Sequence, residues 1–472
     1  MTERREIVKT LGDDPFRMMD LSIEEIFDFD QNEIDEFQLA GLQRRFAELR
    51  PALPPLDMLA EENHIEAINT IDEIVPLLFP HTEYKSYPLS LIDNCQFEHL
   101  NHWLNEFTTH DLTDLELDDC ESIDDWLNAV EEHTPVRVVC SSGTSGKITL
   151  LPRSTDEERC IAKQFEFVYA KFRDEWGFGD PYGPDVYHVQ INPRKGRVNS
   201  CRSGDVRVKY GFDGDESHVL NLGGELSTDV LWMTGRMKKA QLEGTVQQLK
   251  ETAAWKRLHA KLENIQTSSA EDREAFYQDI LVRLKGKSVA MAAGHVFYWE
   301  MLECARKYDL EIAFSEDSCL CTAGGVKGKG NLTEEQLAQV AEAFPNLNDI
   351  YGCSELMALA RQCPEGHYHM PPSVVSFVLD PETGVPYPRS GTQTGRYAVF
   401  DLWAKTYWAG IITGDEVTMN WDGGCGCGRK GPYLLGDIGR YADKNGGDDK
   451  ITCQRSAAAV EEMMESMRNQ TS

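Results

Sequence analysis

Short β-branched runs that alternate with helix-patterned stretches constrain this chain more than any other feature. The run VRVVC (136–140) enters a glycine- and serine-rich loop. Further runs follow at VYHVQI (186–191), SVAMAAG (288–294), IAFSEDSCLCTAGG (312–325), FVLDPETGVPYP (377–388), GRYAVFDLWA (395–404) and GIITGDEVTMNW (410–421). Helical patterns occupy 230–265, 296–308 and 334–344 between them. Strands alternating with helices predict an α/β body. Upstream, Ile34, Phe37, Leu42, Phe46 and Leu49 approximate a 3.6-residue stripe that Pro51, Pro54 and Pro55 terminate, so residues 1–60 read as helical.

Composition narrows the function classes. The chain of 472 residues carries 79 acidic against 47 basic residues, a formal charge of −32, which would repel the phosphates of a nucleic acid. A local basic pocket for a nucleotide remains compatible with that field. The N-terminus MTERREIVKTLGDD lacks the apolar segment of a secretory signal, and no run reaches the ~18 apolar residues of a membrane span. Thirteen cysteines in so long a chain are too few for a disulfide scaffold, so reduced thiols and a cytoplasmic location are expected, with any cysteine cluster suspected of metal binding or chemistry. Residues 111–132 hold ten acids and no base and read as a solvated acidic face.

Three motifs carry chemistry. The loop Ser141-Ser142-Gly143-Thr144-Ser145-Gly146-Lys147 follows a strand directly. Its glycines let backbone N–H groups approach phosphate oxygens, its hydroxyls donate, and its lysine neutralises charge. It is not a Walker A loop, because Ser141 replaces the first glycine and Ile148 follows the lysine. The second motif, GCGCGRKG (424–431), formally contains a dinucleotide fingerprint but lacks the helix that this fingerprint must open. Its Cys425 and Cys427, with Cys363 and His369 of CPEGHYHMPP (363–372), instead suit a closed four-coordinate zinc site, with His367 as the competing ligand. The third pairs Tyr351-Gly352-Cys353-Ser354-Glu355 with Thr413-Gly414-Asp415. A glutamate on a short turn can hold Mg²⁺ beside phosphates, and an aspartate at a strand end can accept two ribose hydroxyls.

The order SSGTSGK, YGCSE, TGD and then Gly439-Arg440 resembles the adenylate-forming superfamily. The finer match is to the branch of phenylacetate–CoA ligases and the acyl-protein synthetases of bacterial bioluminescence, through Cys363, His369, CGCGR (425–429) and TAGGVKGKG (322–330). The resemblance covers roughly residues 80–455. It implies a large adenylate-forming α/β domain of mixed sheets flanked by helices over 81–440, a helical segment over 1–80, a zinc-binding region at about 351–431, and a reduced C-terminal stub over 441–472 in place of a mobile lid.

The resemblance also implies roles. Ser141 to Lys147 would hold the β- and γ-phosphates of ATP, with Lys147 catalytic. Gly324 and Gly325 would border the adenine, with Tyr351 and Gly352 beside it. Glu355 would bind Mg²⁺, Asp415 the ribose hydroxyls, and Arg440 the ribose or phosphate. His295 would line an acyl pocket. Arg429 and Lys430 would add positive charge near the nucleotide. Cys453, in DDKITCQRS, sits where the acyl-protein synthetases carry their acyl acceptor, and Lys450 is a candidate for the missing lid lysine. The expected activity is an ATP-dependent carboxylic acid ligase that passes an acyl group to a thiol or amine, on coenzyme A, a carrier or an enzyme. Two other expectations differ in kind: a zinc-stabilised nucleotide-binding scaffold without turnover, and a phosphotransferase that would release ADP.

Overall fold

The computed structural model describes residues 2–141, 146–173, 175–261, 269–324 and 328–441. Among these, fourteen strands occur in chain order: β1 (Phe79–Pro80), β2 (Val136–Cys140), β3 (Leu150–Ser154), β4 (Val186–Gly196), β5 (Val219–Leu226), β6 (Ser288–Ala293), β7 (Cys319–Thr322), β8 (Leu347–Tyr351), β9 (Ala360–Arg361), β10 (Val374–Leu379), β11 (Thr392–Asp401), β12 (Gly410–Asn420), β13 (Tyr433–Leu434) and β14 (Gly439–Arg440). They build two six-stranded sheets and a hairpin.

The first sheet has the order β5-β4-β6-β7-β8-β9 and is parallel from β5 to β8. Its crossovers are the helices Thr228–Glu243, Ala270–Arg283, His295–Lys307 and Glu334–Ala343 and their neighbours. Parallel pairing demands such crossovers, which explains the alternating sequence pattern. The second sheet runs β1-β12-β11-β10, with β13 and β14 also paired to β12. Here β10, β11 and β12 form an antiparallel meander whose buried faces carry Phe377, Val399, Phe400, Ile411 and Met419. The antiparallel pair β2–β3, which the segment 141–149 connects in sequence, forms a separate two-stranded sheet.

The N-terminal helices are part of the second sheet's core. In the Gln31–Leu49 helix the striped residues Ile34, Phe37, Leu42, Phe46 and Leu49 are all buried, in one cluster with Trp403, Met419 and Trp421. Buried polar groups fix the register of this contact. Arg45 Nε donates to the Leu402 carbonyl at 2.9 Å, Gln38 Nε2 to that of Pro372 at 2.9 Å, and Trp403 Nε1 to that of Pro15 at 2.9 Å. Strand β1 then adds residues 79–80 to the sheet edge, parallel to β12.

Two sequence expectations change. The run 312–325 supplies a strand only at Cys319–Thr322, because Ser315-Glu316-Asp317 forms a turn before it. The helical pattern over 230–265 is broken at Gly244, whose φ of +72° ends the Thr228–Glu243 helix in a left-handed cap that other residues adopt at a cost. The acidic segment is also more than a solvated face. Asp124 turns inward and accepts from Ser227 Oγ at 2.6 Å and Thr228 N at 3.0 Å, while Asp229 accepts from the N–H groups of Ile123 at 2.8 Å and Asp124 at 2.9 Å. Each carboxylate thus caps the other's helix.

Candidate functional site

The two sheets bring distant motifs together. Tyr351 ends β8, Asp415 lies within β12, and Arg440 on β14 is the register partner of Asp415. Tyr351 Oη donates to Asp415 Oδ2 at 2.9 Å, and Arg440 Nε lies 3.0 Å from Asp415 Oδ1. Thr413 Oγ1 donates to the Tyr397 carbonyl at 2.8 Å and accepts from Asp415 N at 3.1 Å, which sets the strand's local geometry. Burial, reinforced by the Asp415 charge, pushes the Tyr351 hydroxyl well above its usual range and keeps it a donor. Asp415 is therefore a buried carboxylate aimed by a tyrosine and an arginine, a geometry suited to receiving hydroxyl donors.

The loop after β8 is clamped from behind. Arg153 on β3 donates through Nη2 to the carbonyls of Ser354 at 2.7 Å and Leu356 at 2.6 Å, bracketing Glu355, whose residue is only 8% exposed. Gly352 is needed for close approach: a Cβ there would stand 2.4 Å from Leu359 Cδ2 and 3.1 Å from the Ala358 carbonyl oxygen. Arg153 escaped the sequence reading, although a charged residue inside the apolar run LLPRS was its signal.

The other predicted residues fall in several places. Ser141 Oγ accepts from Thr149 N at 2.9 Å at the base of the segment 141–147, whose residues 142–145 lie outside the described residues. Lys147 Nζ donates to the carbonyls of Lys85, at 2.8 Å, and Tyr87. In this structure its ammonium thus ties the loop to the N-terminal segment; burial first, then Lys239, lowers its pKa. His295 opens the His295–Lys307 helix with Nδ1 buried, and burial holds its pKa low. Gly324 follows β7; Gly325, Lys444, Lys450 and Cys453 lie outside the described residues. Arg429 and Lys430 each pair with an acid other than Asp415. Arg429 is buried against Glu175, and Lys430 pairs with Asp28 at 2.7 Å.

A thiol cluster sits between β9, β10 and the β12–β13 turn. One ligand atom each from Cys363, His369, Cys425 and Cys427 lies within 4.8 Å of the others. Cys363 Sγ and Cys425 Sγ are 3.8 Å apart, and Cys427 Sγ and His369 Nε2 are 3.3 Å apart. A tetrahedron with metal–sulfur bonds of ~2.3 Å has edges of about 3.8 Å, so these residues fit a four-coordinate thiolate-rich metal. His369, not His367, belongs to the group of four; His367 Nδ1 stands 3.3 Å from Cys425 Sγ, placed to steady that sulfur. The Cys363 thiol is lowered to about 3, chiefly by the hydrogen bond from Cys427, while the same bond pushes Cys427 up.

Buried charges brace this cluster. Glu175 Oε2 accepts from Arg361 Nη2 at 3.0 Å and Arg429 Nη2 at 2.9 Å, and the Arg429 guanidinium lies 4.3 Å from the centre of the Phe27 ring. Removing one partner of such a set strands a buried charge. Glu175→Gln is expected to lower unfolding stability by about 3–5 kcal/mol in denaturant titration; a shift below about 1 kcal/mol would contradict the bracing role.

No family model and no curated protein matches this sequence. Among solved structures, an open conformation of 2-hydroxyisobutyryl-CoA ligase in complex with 2-HIB-AMP and CoA is similar over 87% of this chain and 71% of its own, at 12% identity and a TM-score of 0.50. The same enzyme in the thioesterification state aligns over 87% of this chain and 68% of its own, again at 12% identity and a TM-score of 0.50. The arrangement of mixed sheets flanked by helices is shared with this ligase. At this identity the likeness is one of architecture. No described helix is long and apolar enough to cross a membrane.

Proposed function

We propose that this chain is an ATP-dependent carboxylic acid ligase, in which a carboxylate oxygen attacks the α-phosphorus of ATP, pyrophosphate leaves, and the acyl adenylate passes its acyl group to a thiol or amine. The observation that carries this is the convergence of Tyr351, Asp415 and Arg440, scattered over ninety positions, into one hydrogen-bonded cluster on an adenylate-forming fold. Asp415 would exchange its present donors for the ribose hydroxyls. Tyr351 would border the base, and Arg440 would face the ribose or α-phosphate. The loop Ser141–Lys147, held at its base by Ser141 and Lys147, would present N–H and hydroxyl donors to the outer phosphates.

Attack of one anion on another needs positive charge at the phosphates. Mg²⁺ held by Glu355 would supply it, and the Arg153 clamp on the neighbouring carbonyls fixes where that carboxylate stands. The cysteine–histidine cluster would hold zinc, which would lock the β12–β13 turn against the loop before β10 and leave the chemistry to other groups. The acceptor would be a thiol such as coenzyme A, an amine, a carrier, or an enzyme cysteine. The branch of phenylacetate–CoA ligases and acyl-protein synthetases remains the preferred kinship because of the same cysteine–histidine pattern.

Product analysis tests the reaction class. Incubation with ATP, Mg²⁺ and a panel of carboxylic acids plus a thiol acceptor is expected to yield AMP and pyrophosphate. ADP as the product would indicate a phosphotransferase. ATP binding without turnover on any acid would favour the scaffold.

A further inference from the structure

The segment from Asn192 to Tyr210 runs against the charge of the whole chain. It holds Arg194, Lys195, Arg197, Arg202, Arg207 and Lys209 against the single acid Asp205, in a protein of formal charge −32. It forms the end of β4, the helix Asn199–Val206 and a π-helical turn over Arg207–Gly211. Such turns recur at functional sites. This segment, the β2–β3 hairpin and the helix Glu158–Tyr169 line a cleft of about 270 Å³ that shares no residue with the Tyr351–Asp415–Arg440 cluster.

Four cations line the cleft: Arg137 and Arg153 from the hairpin, Arg202 and Lys209 from the basic segment. Two acids face them, and both are engaged. Glu158 pairs with Lys209 at 3.0 Å, and Asp205 pairs with Arg194, outside the cleft. Arg202 pairs with Glu131. Among the described residues neither Arg137 nor Arg153 has a carboxylate within ion-pair distance; both spend their donors on uncharged groups, Arg137 on the carbonyls of Glu131, Thr134 and Val136. The Nε–H groups of Arg153 and Arg202 are buried without a hydrogen-bond partner. A buried N–H donor without a partner is costly, and an anion in the cleft would offset that cost.

We infer that this cleft binds a small phosphate-bearing anion. Phosphate suits it better than a monocarboxylate, because several cations converge on a small volume and guanidinium forks match phosphate oxygens in pairs. Val139, Ile161 and Val206 add apolar lining, and the volume suits a ligand of about the size of a diphosphate or a short phosphate ester. Arg153 links the cleft to the chemistry: the side chain that lines it also grips the carbonyls on either side of Glu355. An anion that draws on Arg153 would therefore bear on the loop after β8.

Calorimetric titration of the full chain with pyrophosphate, and separately with succinate, tests this. Lys209 is largely exposed, so Lys209→Glu should fold normally and weaken pyrophosphate binding by about tenfold. Glu158→Gln removes the competing carboxylate and should tighten it by a few-fold. Circular dichroism checks both variants for folding. Equal pyrophosphate affinity in wild type and Lys209→Glu, no pyrophosphate binding at all, or tighter binding of succinate than of pyrophosphate would each overturn the assignment.

Discussion

Stripping metal from the purified protein is expected to lower its melting temperature and to do so reversibly on adding zinc. Four ligand atoms lie within 4.8 Å of one another at near-tetrahedral spacing, and three of them are thiols. Without a cation, ionising three neighbouring thiols in a largely buried site is unfavourable, and a bound metal offsets that cost. Structural zinc contributes roughly 10–16 kcal/mol in small zinc-finger peptides. Here the flanking strands also belong to a hydrophobic core, so a smaller share is exposed to loss. Cys425→Ser should cost about 3 kcal/mol, or roughly 3 °C in melting temperature. Metal analysis should find zinc in the wild type and little in the variant. Affinity should also fall as pH drops, because protons compete for the same thiolates. A metal-free wild type, or unchanged melting in Cys425→Ser, would remove the site.

Asp415→Ala is expected to cost the largest share of activity. The carboxylate is 7% exposed, held by Tyr351 and Arg440, and proposed to accept two ribose hydroxyls. A hydrogen bond to a charged group contributes about 1.5–3 kcal/mol, so losing two corresponds to roughly 10²–10⁴ in rate. Tyr351→Phe keeps the carboxylate and removes one orienting donor, so its effect should stay near tenfold. The ring stays in place in Tyr351→Phe, so losing one buried hydroxyl hydrogen bond should cost only about 1 kcal/mol of stability.

Much of this was legible because local sequence carries it. The VRVVC strand, the meander from 374 to 420 and the four clustered side chains each announce themselves by pattern or spacing. The cysteine pair around Gly426 needed only a tight turn to converge, and two residues near Cys363 were its sole rival partners. What the sequence concealed depends on distant neighbours. Arg429 looked available for phosphate because nothing nearby opposes it, yet its partner Glu175 is 254 positions away. Lys147 looked committed to the loop, yet it reaches carbonyls of Lys85 and Tyr87, sixty positions upstream. The N-terminal stripe predicted a helix but could not name the sheet that buries it. The basic cleft was hidden because its four cations come from separate elements, each unremarkable alone.

Pyrophosphate exchange into ATP, measured across a panel of carboxylic acids with wild type and Asp415→Ala side by side, tests the ligase assignment most directly. The expected result is acid-dependent exchange in the wild type that falls by at least about 10² in the variant. Absence of exchange with every acid while ATP still binds, or exchange that Asp415→Ala leaves intact, would contradict it.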